Sequence, residues 1–543
     1  MQRTSMLVSG MLSTVAVVMM SAVPSFAEVV TYPAPPGLTT SPDYTMTVNG
    51  TPVSVQKVGP AGDASMVSFA NFSCSGSLTI EITASQAINT FVIRPKVRGI
   101  VGVKSGNKLT FTVPGPQKLV INVNSLHDLN IFANPLEVNP PKQGDPGVTY
   151  YGPGAASPGT ITLQSNQTIY LAGGAIVTAR ISGSNVQNVK VMGRGILAGT
   201  VRVSGARHLL FDGIITYNPP SNGSVWTNTL TRCDSSAYRN VKVLSFPVPW
   251  STDGINPCSC RYFAIDDCFI RSGDDCLSIK TMDANAPTDS ITITNCIMAG
   301  WNSNDGVNTL ESVSQVVQNI FVKNCDIIRS AGGSPSGHAA INWTVDGLST
   351  IQNIRMEDVR CEDQCENNLQ IQVTNGAIWS RSTPGHIKGI YMKNVSWELA
   401  HSMRIFGFSA TNMVEDVTFD HCTVAGKPLT KPSDAGIYIS TTTTRNIRFI
   451  DSVTKIGQSG PAPESGRNQA LSLQRAANAL VMRINQAGGY SLDITDLSGA
   501  LVGRFAGVNA GSFALPASQI KPGAYVVRVC TDAGVVSRAV AIR

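Results

Sequence analysis

"FAIDDCFIRSGDDCLSIKTMDANAPTDSITITNCIM", residues 263–298, states one pattern twice: a β-branched alternation, a polar pair, a cysteine, then a further apolar pair. "FAIDDCFI" at 263 and "ITITNCIM" at 291 match position for position. The unit recurs as "VKVMGRGIL" (189), "VKVLSFPV" (241), "IFVKNCDI" (320), "IRMEDVRC" (354), "IYMKNVSW" (390), "VTFDHCTV" (417) and "IRFIDSVT" (447). A period of two within each unit is the signature of a strand. The spacing between units wanders over roughly 20 to 36 residues, as in solenoids. No amphipathic helix lies between units, which disfavours helical solenoids and βαβ folds. The pattern predicts an all-β chain built around a right-handed parallel β-helix over residues 141–455, with about ten coils stacked at ~4.8 Å.

Alignment of the units assigns roles by slot. Asp266-Asp267 takes the place of Thr294-Asn295, Lys323-Asn324 and Asp420-His421, so this acidic pair reads as a solvated turn. Cys268, Cys296, Cys325 and Cys422 share the next slot and read as an inward ladder of small apolar thiols. Cys258, Cys260, Cys361 and Cys365 lie off the ladder and are the disulfide candidates among the 12 cysteines.

Before the repeats, residues 28–140 alternate apolar and polar side chains between Gly, Pro and Ser, as in "SLTIEITAS", and predict an N-terminal β-sandwich. "NPPKQGDPG" (139–147) is a stiff junction. After them, 456–469 reads as an exposed linker, and 470–543 as a small C-terminal β-sandwich. Residues 1–27 pair a basic start with a short apolar run and Ser25-Phe26-Ala27, a secretory signal cleaved after Ala27. No later stretch is apolar enough to span a bilayer. A net charge of +6, with no basic block, argues against a nucleic-acid partner.

The second acidic pair differs from the first. Gly273 precedes Asp274-Asp275, and a bend there lets two neighbouring carboxylates face one side. Asp253, in "PWSTDGINP", lies one coil upstream, so Asp253, Asp274 and Asp275 are expected to meet in one groove with at least one raised pKa. Such a cluster suits hydrolysis of a glycosidic bond, one carboxyl giving a proton while another activates water. Lys280 is placed to hold a sugar hydroxyl or the charge of the cluster. Trp250 and Trp301 are placed to stack on sugar rings, with ordinary packing as the alternative.

Thr-Asp-Gly-Ile-Asn-Pro around Asp253, with Gly273-Asp274-Asp275-Cys276 and Ile279-Lys280, resembles the polygalacturonase family, glycoside hydrolase family 28. The wider layout, with "VIRPKVRGI", "IFANP", "YYGPG", "IYLAGGAIV" and "GRGILAG", resembles the dextranase and isopullulanase family, glycoside hydrolase family 49. The resemblance implies a polysaccharide substrate, an inverting mechanism without metal or cofactor, Asp274 as proton donor, and Asp253 with Asp275 positioning the attacking water. It departs from the polygalacturonase pattern in two places. "WNSNDGVNTLES" stands where those enzymes have Gly-His-Gly, and Arg404-Ile405 is followed by Phe406 instead of lysine, which favours a neutral glycan. Asn304 and Glu311 in the replacement segment become substrate-contact candidates, and His338 a structural loop residue. The Asp-x-x-Gly hairpin and Gly-x-Tyr strand of 470–543 resemble C-terminal sorting domains of a type IX-like secretion route. That implies recognition by secretion machinery and a location outside a Gram-negative cell; a carbohydrate-binding or spacer sandwich is the alternative. For the chain as a whole, a β-helical polysaccharide lyase and a non-catalytic glycan-binding adhesin remain open. The first would use a Lys or Arg base with calcium, and the second would need no carboxylates at one-coil spacing.

Overall fold

A computed structural model describes residues 27–60, 62–218, 226–246, 251–313, 315–331, 337–375 and 384–450, together with strands between 471 and 542. Contacts divide the chain into two units, Met1–Thr454 and Lys455–Arg543. The expected all-β architecture is what the chain forms. Among the described residues the only helical segments are two 3-10 turns, Lys96–Arg98 and Pro432–Asp434.

The first unit begins with two sheets over Val29–Pro135, and their facing side chains close a core that includes Phe72, Ile80, Phe111 and Ile131. Pairing is antiparallel apart from Leu129–Pro135, which runs parallel to Val67–Cys74. From Val148 to Ile450, 31 strands follow as a right-handed parallel β-helix, with one antiparallel pair, Thr423–Val424 with Lys427–Pro428. The repeat units are one stacked face of it: Val191 pairs with Phe211, Ile265 with Ile293, Ile293 with Val322, and Met356 with Met392. Successive rungs lie 20 residues apart at Val191/Phe211 and 36 apart at Met356/Met392, so the wandering period is loop length between fixed rungs.

The polar slot has a backbone reason. Asn240, Asp267, Asn295, Asn324, Asp358, Asn394 and His421 all have φ between 50° and 57°. Asn and Asp tolerate this left-handed region best among residues with a side chain, because they can hydrogen-bond locally. Their side chains ladder: Asn295 donates to Asp266 at 2.7 Å and Asn324 to Asn295 at 2.8 Å. Asp266-Asp267 is therefore a turn, as its slot implied. It is also a joint, because Asp267 pairs with the buried Lys118 of the sandwich at 2.7 Å.

The cysteine ladder is inward and buried, with Cys268, Cys296 and Cys325 each giving Sγ–H to a carbonyl. The disulfide expectation fails. Cys258, Cys260, Cys361 and Cys365 are free, buried thiols, and Cys260 and Cys365 donate to the carbonyls of Leu230 and Ile327. Cys260, Cys361 and Cys365 point into the coil like the ladder itself and pack there as small apolar groups, whereas Cys258 is buried on the outer side, near Lys280, Glu311 and Asp253.

The sandwich lies lengthwise against the β-helix. Val67, Phe69, Val120 and Phe132 pack on Ile176, Ile196, Ile215, Leu244, Phe269, Ile297 and Ile328, one from each of several consecutive rungs. At the far end of this seam Arg94, 2% exposed, pairs with the buried Glu362 and with Asp363. Arg94→Ala would leave a buried carboxylate unpaired, and chemical denaturation should show a loss of about 3–5 kcal/mol.

The second unit contains two antiparallel sheets, one over Leu471–Ala476, Ala479–Ile484 and Gly511–Pro516, the other over Gly489–Asp496, Leu501–Val508, Gly523–Thr531 and Gly534–Ile542. All of the expected signal, residues 1–27, except Ala27 lies outside the described residues, as does the linker at 456–469.

Candidate active site

Ile255, Leu277, Val307 and Ile341 pair in sequence along another face of the β-helix, all with inward side chains. Two residues upstream of each stand Asp253, Asp275, Asp305 and Ala339. One residue further back stand Thr252, Asp274, Asn304 and His338. The backbone bends here: Gly254 N–H donates to the Asp275 carbonyl at 2.8 Å and Cys276 N–H to that of Asp305 at 2.9 Å. A Cβ on Gly254 would sit 2.4 Å from Ile270 and 2.6 Å from the Cys276 carbonyl, so close approach of the rungs requires glycine.

The three expected acids do converge. Asp253, Asp274 and Asp275 each place a carboxylate oxygen within 4.8 Å of the others. Asp253 and Asp275 are buried at 2% and 6% exposure, whereas Asp274 is half-buried. Burial and the neighbouring Asp253 push the Asp274 carboxyl up to about 7. Burial pushes Asp275 well above the carboxylate range, and Asp305 and Asp274 add to this. Burial also raises Asp253, but the Lys280 ammonium opposes it. Of the three, Asp253 is thus the one in direct contact with a cation, and the adjacent pair Asp274–Asp275 holds the proton.

Lys280 is buried and serves the cluster's charge. Its Nζ is 3.2 Å from Asp253 Oδ2, contacts Glu311, and lies 3.9 Å from the centre of the Trp226 ring. Burial alone would lower its pKa; Asp253 and Glu311 hold it above its ordinary value. Asn256 Nδ2 also donates to Asp253, at 2.8 Å. Asn304 is buried, and its amide donates to the Asp274 carbonyl at 2.9 Å, so it fixes the acid's backbone. Glu311 sits beside Lys280 with φ 57°. Trp301 has two guanidinium groups over its ring, Arg329 at 4.1 Å and Arg271 at 5.1 Å. Trp250 lies outside the described residues.

Sequence reasoning missed three residues. Asp305 continues the acidic column by one rung: its N–H donates to Asp275 at 2.9 Å, and its carboxylate accepts from Ala339 N–H, Asn308 and Asn342 at 2.7, 2.8 and 2.9 Å. The signal was present, because Asp305-Gly306-Val307-Asn308 repeats Asp253-Gly254-Ile255-Asn256. His338, expected as a structural loop residue, also reaches the cluster. Its Nδ1 is 3.6 Å from Asp305, and although burial alone would lower its pKa, Asp305 and Asp275 raise it to about 9. Trp226 occupies the acidic column one rung before Asp253, as Asn228 pairs with Ile255. Two oxygen-rich sets, Asp253–Asp274–Asp275 and Asp275–Asp305–His338, have ligand atoms close enough to grip a cation. Lys280 and the raised His338 already supply positive charge at both, which competes with a metal.

Residues 221–439 match the sequence model of Glycosyl hydrolases family 28. The family-28 stretch takes in every acid of the cluster, Lys280, Trp226 and His338. Among solved structures, Dex49A from Penicillium minioluteum aligns at 15% identity with a TM-score of 0.58, over 78% of this chain and 96% of its own, a likeness of fold. The family 28 exopolygalacturonase of Yersinia enterocolitica aligns at 12% identity, with a TM-score of 0.39, over 78% of this chain and 96% of that one. No curated protein sequence matches the chain.

Proposed function

We propose that the protein is an exported glycoside hydrolase that cleaves a polysaccharide by an inverting, three-aspartate mechanism. The convergence of Asp253, Asp274 and Asp275 from successive rungs carries this reading. Asp274, the least buried member, with a carboxyl near 7, protonates the leaving oxygen. Asp253, charged against Lys280, and Asp275 hold the water. Oxygens within 4.8 Å can both accept from one water at an ordinary 2.8 Å, so the pair can orient a single nucleophile.

The same spacing also supports a second reading. Nearest oxygens within 4.8 Å are closer than the roughly 6.5–9.5 Å between acid and base in a simple inverting pair, and nearer the roughly 5–5.5 Å of retaining enzymes. Inversion is preferred because a third carboxylate lets the water sit beside two acids instead of between acid and base. Proton NMR of the first-formed anomer decides it. Inverted product supports the water-holding pair, and retained product assigns one carboxylate as nucleophile.

A neutral glycan is the proposed substrate. The acids outnumber the cations in the cleft, and Arg404, which could grip a uronate, has its guanidinium 5.2 Å from the Phe406 ring. Screening dextran, pullulan and polygalacturonate for new reducing ends tests this, and release only from polygalacturonate would reverse it. Hydrolysis should fall as pH rises through about 7, where Asp274 loses its proton, and fall again in acid as Asp253 gains one. The exported location rests on residues 1–27, and the sorting role of 470–543 on its loose resemblance; cleavage after Ala27 and retention of the tail-less protein inside cells would test them.

A further inference from the structure

Beside the acids, a cleft of about 230 Å³ is lined by His338, Asn367, Gln370, Ser402 and Arg404. A larger cavity of about 460 Å³ is lined by Trp301, Arg329, Gln364, Glu366 and His401. The two adjoin, because Glu366 and His401 line one while their chain neighbours Asn367 and Ser402 line the other. Asn367 Nδ2 donates to the His338 carbonyl at 3.0 Å, which ties this ridge to the catalytic rungs. From the Asp275 rung to the Leu369 rung is three steps of parallel pairing, about 14 Å at the usual strand spacing.

We propose that the larger cavity is a remote glycosyl-binding subsite that takes a neutral sugar unit of the same chain whose bond is cut at Asp274. The inference rests on the hydrolase reading above and extends it. An indole wall with several hydrogen-bonding groups is how a polar ligand with apolar faces is held. The wall is rigid: Trp301 is stacked by Arg329, and Arg329 Nε donates to Gln364 at 3.0 Å. His401 Nδ1 lies 2.7 Å from the Cys365 carbonyl, which fixes that nitrogen as a donor and its ring in place. The charges argue for a neutral unit. Arg329 already faces Asp128 at 3.4 Å and Asp363 is taken up by Arg94 and Lys96, while the cavity wall adds the exposed Glu366, so a uronate would find the cations engaged and a carboxylate in the wall.

The test uses full-length Asp274→Asn protein, calorimetric titration, and isomalto-, malto- and cello-oligosaccharides and oligogalacturonates, dimer through heptamer. One neutral series should bind at least about tenfold more tightly as heptamer than as dimer. Glu366→Ala or Trp301→Phe should erase that gain and leave dimer affinity unchanged. A length gain that survives both changes overturns the subsite, as does a gain confined to oligogalacturonates. If wild-type protein hydrolyses a glycan yet no series shows a length gain, the subsite falls and the hydrolase stands. If no glycan is hydrolysed and none binds, the hydrolase reading itself falls.

Discussion

Asp274→Asn protein should lose glycan hydrolysis by about 10²–10⁴-fold, the share that a positioned general acid contributes, while remaining folded. Asparagine keeps the shape, so the Asp274 carbonyl still accepts from Ser272 and Asn304. Stability should move the other way. Folding raises this carboxyl from 3.8 to about 7, so its contribution is fully present below pH 3.8 and disappears as pH rises through about 7. Above that pH the wild type holds an extra buried charge beside Asp253, and asparagine does not. The variant should therefore unfold at higher temperature than wild type at pH 8, by the equivalent of about 1 kcal/mol or more, with little difference at pH 4. Reducing-end assays and calorimetric melts at the two pH values check both halves. Unchanged hydrolysis would remove Asp274 from the chemistry, and a lower melting point at pH 8 would contradict the crowding of charge.

Lys280→Met should cost nearly as much by a different route. Methionine fills a similar volume without the ammonium, leaving Asp253 and Glu311 without their shared cation. Lys280 lowers both Asp253 and Asp274, so both carboxyls should move up. The acid limb of the rate profile then shifts to higher pH because Asp253 must lose a proton, and the alkaline limb shifts the same way because Asp274 keeps its own. Maximal rate should fall at least about tenfold, with the optimum displaced upward. Stability should fall by as much as about 3–5 kcal/mol at neutral pH. The loss should shrink in acid, where the stranded carboxyls can take up protons. A rate profile that falls in height with neither limb displaced would make Lys280 a packing residue only.

Most of the scaffold was readable because a solenoid repeats its grammar. Each rung shows the same inward apolar positions and the same left-handed turn, so Val191, Ile265, Ile293 and Val322 align without a structure. The acids were legible for the same reason, since Asp253 and Asp274-Asp275 stand one coil apart beside glycines. Their register was not. The rungs pair Asp253 with Asp275 rather than Asp274, because unequal loops hide which residue stacks on which. His338 escaped because the extra rung carrying Asp305 separates it from Asp275 in sequence, although in space it faces both. The cysteines misled by their spacing. Residues off the regular ladder looked like bridge partners, whereas Cys260, Cys361 and Cys365 fill inward slots and Cys258 is buried under Lys280.

The lengthwise seam has a mechanical outcome. Stacked coils alone respond to stress one neighbour at a time, and their ends fray. Here the sandwich works as a splint: side chains from Ile176 to Ile328 grip one rigid bar, and Arg94 clamps it again at Glu362. A tug on any single coil between them is shared with the others, so the groove that the catalytic rungs line should keep its shape until the whole first unit gives way together.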